Sequence, residues 1–289
     1  MHKRKRFQLK LPSGVLRLGE RTLVMGVLNV TPDSFSDAGE FLDSQRAAAY
    51  AVQMQRDGAD IIDIGAESTR PGSRAIPAAE ELRRLLPVLE ALRGRLRVPI
   101  SVDTQKSAVA EIALGAGAQI INDISGLRTD PRLAQVAAKF RAPVILMHMR
   151  GSPRTMQKGP FARDVVKDVT SGLRRSIAIA RKAGIAKSQI VIDPGIGFGK
   201  TLLQNYELLA KLPELAELGF PILVGTSRKA FLGATLAKNG KPAPAGERLW
   251  GTAATVVISI LDGAHIVRVH DVAEMAEAAR VTDCVVGQL

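Results

Sequence analysis

The chain has 289 residues, 46% of them hydrophobic, which is enough for one large core and for either one or two domains. No apolar run approaches the roughly eighteen residues of a membrane span and none follows the basic start, so neither a membrane span nor a secretory signal is expected. With 40 Lys+Arg against 28 Asp+Glu the net charge is +12, which favours acidic ligands, and the single cysteine, Cys284, excludes an internal disulfide and suits a cytoplasmic protein.

Lys3, Arg4, Lys5 and Arg6 open the chain as a charge run and read as a disordered, solvated tail. Aromatic residues make up only 4% of the chain, too few to interleave with basic ones as a nucleic-acid surface does. From 10 to 20, Pro12-Ser13-Gly14 suggests a turn or short hairpin, so residues 1–20 form an extension ahead of one domain over 21–289. Apolar runs then predict strands at 22–28, 60–64, 99–102, 119–121, 144–147, 190–192, 222–224 and 266–269. Apolar spacing of three and four predicts helices at 47–56, 79–92, 107–114, 132–140, 165–182, 203–212, 250–261 and 273–286. Gly58, Gly94, Gly115, Gly184, Gly219 and Gly263 follow helical stretches as left-handed stops, and 238–244 reads as a surface loop. Strict strand–helix alternation is the signal of an α/β fold, here a single (β/α)8 TIM barrel, with a doubly wound open sheet as the alternative.

One stretch invites a nucleotide reading. Residues 193–201, DPGIGFGKT, pack three glycines and a lysine together, but neither G-x-G-x-x-G nor G-x-x-x-x-G-K-[ST] is matched, since the glycines fall at 195, 197 and 199 and position 194 is proline. Asp193, following the run 190–192, would repel a phosphate.

In a barrel the site is built at the carboxyl ends of the strands. The residues following the runs are polar throughout: Asn29, the stretch 67–70, Asp103, Asn122 with Asp123, His148, Asp193, Lys229, and Arg268 with His270. Singly, each has an ordinary reading as a turn residue or helix cap; Asp103, for instance, could cap the helix starting near Lys106. Together they divide into acceptors for a flat heterocycle bearing N–H groups (Asp103, Asn122, Asp193) and donors for an anion (Arg70, Lys229, Arg268, His270). Lys229 could alternatively form a Schiff base. The long loops 30–43 and 65–77 are candidate lids.

The strand-end motifs are NVTPDSFSDAG (29–39), ESTRPGS (67–73), SVDT (101–104), NDISG (122–126), MHM (147–149), DPGIGFGK (193–200), GTSRK (225–229) and RVHDV (268–272). In this order they resemble the dihydropteroate synthases, over nearly the whole chain. The resemblance implies a barrel enzyme of folate biosynthesis, a transferase joining 6-hydroxymethyl-7,8-dihydropterin diphosphate to 4-aminobenzoate with release of pyrophosphate. It implies Mg2+ accompanying the diphosphate, a cytoplasmic homodimer, and competition by sulfonamides with 4-aminobenzoate. It also implies Asp103, Asn122, Asp193, Lys229 and Met147 as pterin ligands, and Asn29, Thr69, Arg268 and His270 at the diphosphate, with Asn29 at the metal. Thr69, Arg70, Phe198, Ser227 and Lys229 would meet the aminobenzoate, with Asp103, Lys229 and Arg70 catalytic. Two positions depart from the family pattern. Ala38 stands where a second glycine is frequent, and Ala230 where a serine often meets the aminobenzoate carboxylate; backbone N–H groups near 227–230 could substitute for that hydroxyl. The rival that shares a barrel and pterin ligands is a corrinoid methyltransferase, which would not call for TRPGS, SRK and RVH together.

Overall fold

The computed structural model describes residues 4–31 and 40–288. The chain opens with a hairpin of β1 (Phe7–Leu11) and β2 (Gly14–Leu18), paired antiparallel with Leu9 opposite Leu16 and Leu11 opposite Gly14. The turn is Pro12-Ser13, as the sequence suggests.

Eight parallel strands follow: β3 (Leu23–Asn29), β4 (Ile61–Gly65), β5 (Ile100–Asp103), β6 (Ile120–Asp123), β7 (Val144–Met147), β8 (Ile190–Asp193), β9 (Leu223–Val224) and β10 (Ile266–Val269). Their order is β8-β7-β6-β5-β4-β3-β10-β9, and a parallel bridge from Ile192 to Ile222 joins the two edges. The sheet is therefore closed, which decides for the barrel against the open doubly wound sheet. The connecting helices are α1 (Glu40–Arg56), α2 (Ala78–Leu92), α3 (Ser107–Gly115), α4 (Arg132–Phe140), α5 (Val165–Lys182), α6 (Leu202–Ala210), α7 (Leu212–Leu215), α8 (Ala230–Thr235), α9 (Leu249–Leu261) and α10 (Val272–Val286).

Strand alternation sorts side chains between two cores. In β4, Ile62 and Ile64 join the large core under the helices, while Ile61 joins the barrel interior. The amino-terminal end of the interior is filled by Met25, Ile61, Ile120, Ile145, Val191, Leu223 and Ile266, and the hairpin closes it with Leu9 and Leu18. Each of these two leucines is fully buried, a contribution of about 2 kcal/mol. The carboxyl-terminal end is left to polar side chains.

Several expectations are corrected. Arg4 is no solvated tail residue: it is buried, donating to Thr22 Oγ1 at 2.7 Å and the Ala264 carbonyl at 3.1 Å, with Asp283 as its counterion. A guanidinium can bury where a carboxylate and two oxygen acceptors meet it; Lys5 and Arg6 are exposed, and Lys3 lies outside the described residues. The first helix begins at Glu40 rather than 47, because Glu40, Gln45 and Arg46 favour the helical backbone by intrinsic propensity, which apolar spacing does not register. The helix foreseen over 203–212 divides at Lys211, where Pro213 lacks the N–H to continue the ladder. Gly115 ends α3 inside the helix, and the left-handed residue is Gly117, φ 112°. Of the loop 30–43, residues 32–39, with Ala38, lie outside the described residues.

Candidate active site

Six strand ends deliver their polar side chains to the carboxyl-terminal mouth. Asp103 of β5 stands in register with Asn122 of β6, so both point the same way from adjacent strands. From across the barrel comes Arg268 of β10. Its Nε donates to Asp63 Oδ2 at 2.6 Å and its Nη2 to Asp103 Oδ2 at 2.9 Å. Asn122 Nδ2 donates to the same Asp63 oxygen at 3.0 Å. The acidic and basic groups are thus interlocked: Asn122, Asp63, Arg268 and Asp103 form one chain across the mouth. Asp63 escaped the sequence reading, which considered only residues that follow apolar runs. It had a signal, since in the strand IIDIG it shares the inward face with Ile61 and Gly65.

Burial raises the Asp103 carboxyl to about 7, against the opposing pull of Arg268. Asp103 does not cap α3. Ser107 N, at the start of that helix, donates instead to Asp130 at 2.8 Å. Asp193, at the end of β8, is buried and accepts from Gly195 N at 2.7 Å. Burial raises it too, opposed by Lys229 and by that N–H.

The turn after Asp193 explains the glycine cluster. Gly195 has φ +66°, and a Cβ there would overlap the His148 carbonyl oxygen, so only glycine lets the two loops touch. Lys200 closes the same contact: buried, it donates to the carbonyls of His148 and Phe198 at 3.0 and 3.1 Å and sits 3.1 Å from His148 Nδ1. Burial lowers Lys200 to about 7 and, with Lys200 beside it, His148 to about 2. These two groups brace loops. Asp123 is structural as well, its carboxylate accepting from the backbone of Ser125 and Leu127.

Lys229 reaches the mouth from the turn before α8, donates to the Ile196 carbonyl, and lies 4.4 Å from the centre of the Phe198 ring. Burial lowers it to about 8, with Asp193 opposing. Ile124, Met147, Met149 and Met156 form a small apolar cluster against which Phe198 packs, a wall suited to a flat ring. Ser227 is buried and its hydroxyl bonds His270 at N and Nδ1, 3.1 and 3.0 Å. Burial, then Arg268 and Arg228, lower His270 to about 4.

Asn29 ends β3, half-buried, while Arg70 is exposed and Thr69 half-buried in the loop after β4. That loop is pinned at its base by Ile76 N donating to Glu67 at 3.1 Å, with Lys106 between Glu67 and Glu81. Its tip rests on the loop after β7, through Gly72 N to the Pro153 carbonyl at 3.0 Å. Gln157 of that second loop donates to the Gly197 carbonyl at 3.0 Å. The sequence reading did not single out this 148–164 loop, although it joins the lid candidate to the glycine turn. The substitute foreseen for the missing serine hydroxyl is narrower than expected. Arg228 N donates to Thr252 Oγ1 at 3.1 Å and Lys229 N to the Thr226 carbonyl at 3.2 Å, so the amides of 228 and 229 are already committed.

Among the described residues no three His, Cys, Asp or Glu side chains gather as a metal cage. Asn29, at the end of β3, carries one amide oxygen. A single protein oxygen fits an ion such as Mg2+ that arrives mainly on substrate phosphates. No described helix is long and apolar enough to cross a membrane.

Known proteins match this chain in sequence and in fold. The sequence pattern of the pterin binding enzyme family matches residues 25–270. A dihydropteroate synthase of Synechocystis is 50% identical over 92% of this chain and 90% of its own. The Xanthomonas albilineans dihydropteroate synthase with 4-aminobenzoic acid superposes with a TM-score of 0.89 at 42% identity, covering 97% of this chain and 98% of that one. The same enzyme in complex with 7,8-dihydropteroate gives 0.85 at 40% identity, covering 96% and 98%. The Yersinia pestis enzyme in complex with a sulfonamide drug gives 0.89 at 44% identity, covering 96% and 99%. These relatives favour the synthase over the corrinoid methyltransferase. A closed barrel whose mouth gathers Asp103, Asn122, Asp193, Lys229 and Arg268, with relatives of one name matching nearly end to end, makes this chain a member of the dihydropteroate synthase family of pterin-binding enzymes.

Proposed function

We propose that this protein condenses 6-hydroxymethyl-7,8-dihydropterin diphosphate with 4-aminobenzoate to 7,8-dihydropteroate and pyrophosphate. The observation that carries it is the convergence at one mouth of two buried carboxylates, Asp193 and Asp103, and the Asn122 amide, whose NH2 is taken by Asp63, with Arg268 bonded to Asp103 and Asp63. Asp193 and the Asn122 carbonyl accept from the pterin's N–H groups, Lys229 contacts the ring, and Met147 packs on its face. A bound pterin supplies Asp193 with the hydrogen bonds that keep a buried carboxylate charged.

The C–O bond to the diphosphate breaks first, its electron pair leaving with the phosphate, and a cationic methylene conjugated to the ring remains. Asp103 stabilises that positive charge. Arg70, Thr69, His270 and the outward edge of Arg268 hold the departing anion. Asn29 would hold a Mg2+ arriving with the diphosphate, and the ion would supply charge neutralisation there. The 4-aminobenzoate amine then attacks the methylene and sheds a proton, with Phe198, Ser227 and Thr69 lining its pocket. Losing one such donor raises the barrier by about 3 kcal/mol, roughly a hundredfold in rate. Sulfonamides compete for this pocket.

The same reading takes the protein as a cytoplasmic homodimer. The face of α9 and α10 leaves Trp250 80% and Val281 69% exposed, with Ile258 and Val285 also exposed, an apolar surface that a second copy would cover. Light scattering of the purified chain, and of Trp250→Glu, tests this; a monomeric parent would reject it.

The decisive experiment supplies both substrates with Mg2+ and follows pyrophosphate and dihydropteroate. Folded protein that forms neither would overturn the proposal.

A further inference from the structure

Asp63 lies below the site, fully buried in the second barrel strand, where no ligand reaches it without displacing Arg268 or Asn122. One oxygen, Oδ2, receives both the Arg268 Nε–H and the Asn122 Nδ2–H. The other, Oδ1, is buried with no hydrogen-bond partner among the described residues. A buried carboxylate is costly, and serving only as a counterion does not account for it, since Asp103 already gives Arg268 an anion. What Asp63 adds is direction.

A carboxylate oxygen accepts and cannot donate, so the Asn122 amide must present its NH2 to Asp63. Its Oδ1 is thereby turned to the mouth, as an acceptor. The same constraint fixes Arg268. With Nε tied to Asp63 and Nη2 to Asp103, the guanidinium plane is set, and its Nη1 edge is the part left for an incoming anion. Asn122 and Arg268 come from strands on opposite sides of β4, and without a shared anchor each would be free to rotate.

We propose that Asp63 is a positioning residue that touches no substrate: it orients the Asn122 amide so that its oxygen faces the pterin, and locks Arg268 beside Asp103. This inference rests on the synthase reading above, and turnover by the parent enzyme tests that reading separately.

The test separates the accepting oxygen from the charge. Asp63→Ala removes the oxygen that holds both the Asn122 NH2 and the Arg268 Nε–H, and should raise the KM for the pterin diphosphate at least about tenfold while the KM for 4-aminobenzoate stays within about twofold. Asp63→Asn keeps one oxygen able to accept from both groups, and its pterin KM should stay within about threefold of the parent, whether or not Asp63→Ala folds. Thermal melting establishes that the compared variants are folded, and Asn122→Ala sets the value for a lost ligand. A folded Asp63→Asn variant whose pterin KM is no better than that of Asn122→Ala overturns the proposal. So does a folded Asp63→Ala variant whose pterin KM is unchanged or whose two KM values move equally.

Discussion

The Lys229 ammonium lies 4.4 Å from the centre of the Phe198 ring, and the two residues come from loops after neighbouring strands of the barrel. The ring stabilises the charged form of an amine that burial has lowered to about 8. Phe198→Leu retains the apolar contact and removes the π face, so the Lys229 pKa should fall further. The alkaline limb of the kcat/KM profile for the pterin diphosphate should move to lower pH by about half a unit to one unit, the equivalent of roughly 1 kcal/mol. An unmoved limb would show that the contact does not tune the lysine.

Ala230 opens α8, next to Lys229, and offers no hydroxyl. With the amides of Arg228 and Lys229 engaged by Thr252 and Thr226, the carboxylate of 4-aminobenzoate has few donors there. Ala230→Ser should lower the KM for 4-aminobenzoate about threefold to tenfold, the equivalent of one net hydrogen bond of about 1 kcal/mol. Steady-state kinetics at saturating pterin diphosphate reads this directly, and an unchanged KM would count against a carboxylate subsite at this position.

Arg4 lies at the opposite end of the barrel from the site, clamping the hairpin approach to Thr22, Ala264 and Asp283. Arg4→Ala leaves the half-buried Asp283 carboxylate short of its cation and should cost about 2 kcal/mol in urea unfolding, with both KM values within about twofold. Undiminished stability would restore the solvated-tail reading of the first residues.

His265 is buried under the same hairpin, packed edge-on against Phe7. Its Nδ1 accepts from Ile222 N at 3.1 Å, which leaves the proton on Nε2, 3.0 Å from the Lys5 carbonyl. Burial lowers it to about 4, below the ordinary value of 6.5. The unfolded chain therefore binds the proton first as pH falls, and the stability contributed by the neutral ring is complete above pH 6.5 and lost as pH falls towards 4. His265→Gln cannot titrate, and between these limits its unfolding free energy should fall by about 2 to 3 kcal/mol less than that of the parent. Urea titrations at about pH 7 and about pH 4.5 make the comparison; parallel losses would dismiss the role of this histidine.

The sequence by itself determined the strand and helix alternation, because period-two and period-three-to-four apolar patterns are local; the closure that makes the sheet a barrel came from the Ile192–Ile222 bridge. It also named most of the groups at the mouth, since a polar residue ending a buried strand such as Asp103 or Asp193 leaves its mark in neighbouring letters. The tertiary structure alone decided what those groups do to one another. That Asp63 anchors Arg268 and Asn122 depends on strands β4, β6 and β10 meeting across a closed barrel, a relation no local pattern carries. The burial of Arg4 depends on Asp283, nearly the whole chain away, and two glycines of DPGIGFGKT, Gly195 and Gly199, are explained only by the backbone of His148 and Arg150 in the neighbouring loop, while Gly197 faces the Lys229 side chain. Local preference fixes elements; partners distant in sequence fix the protonation, orientation and reach of the side chains between them.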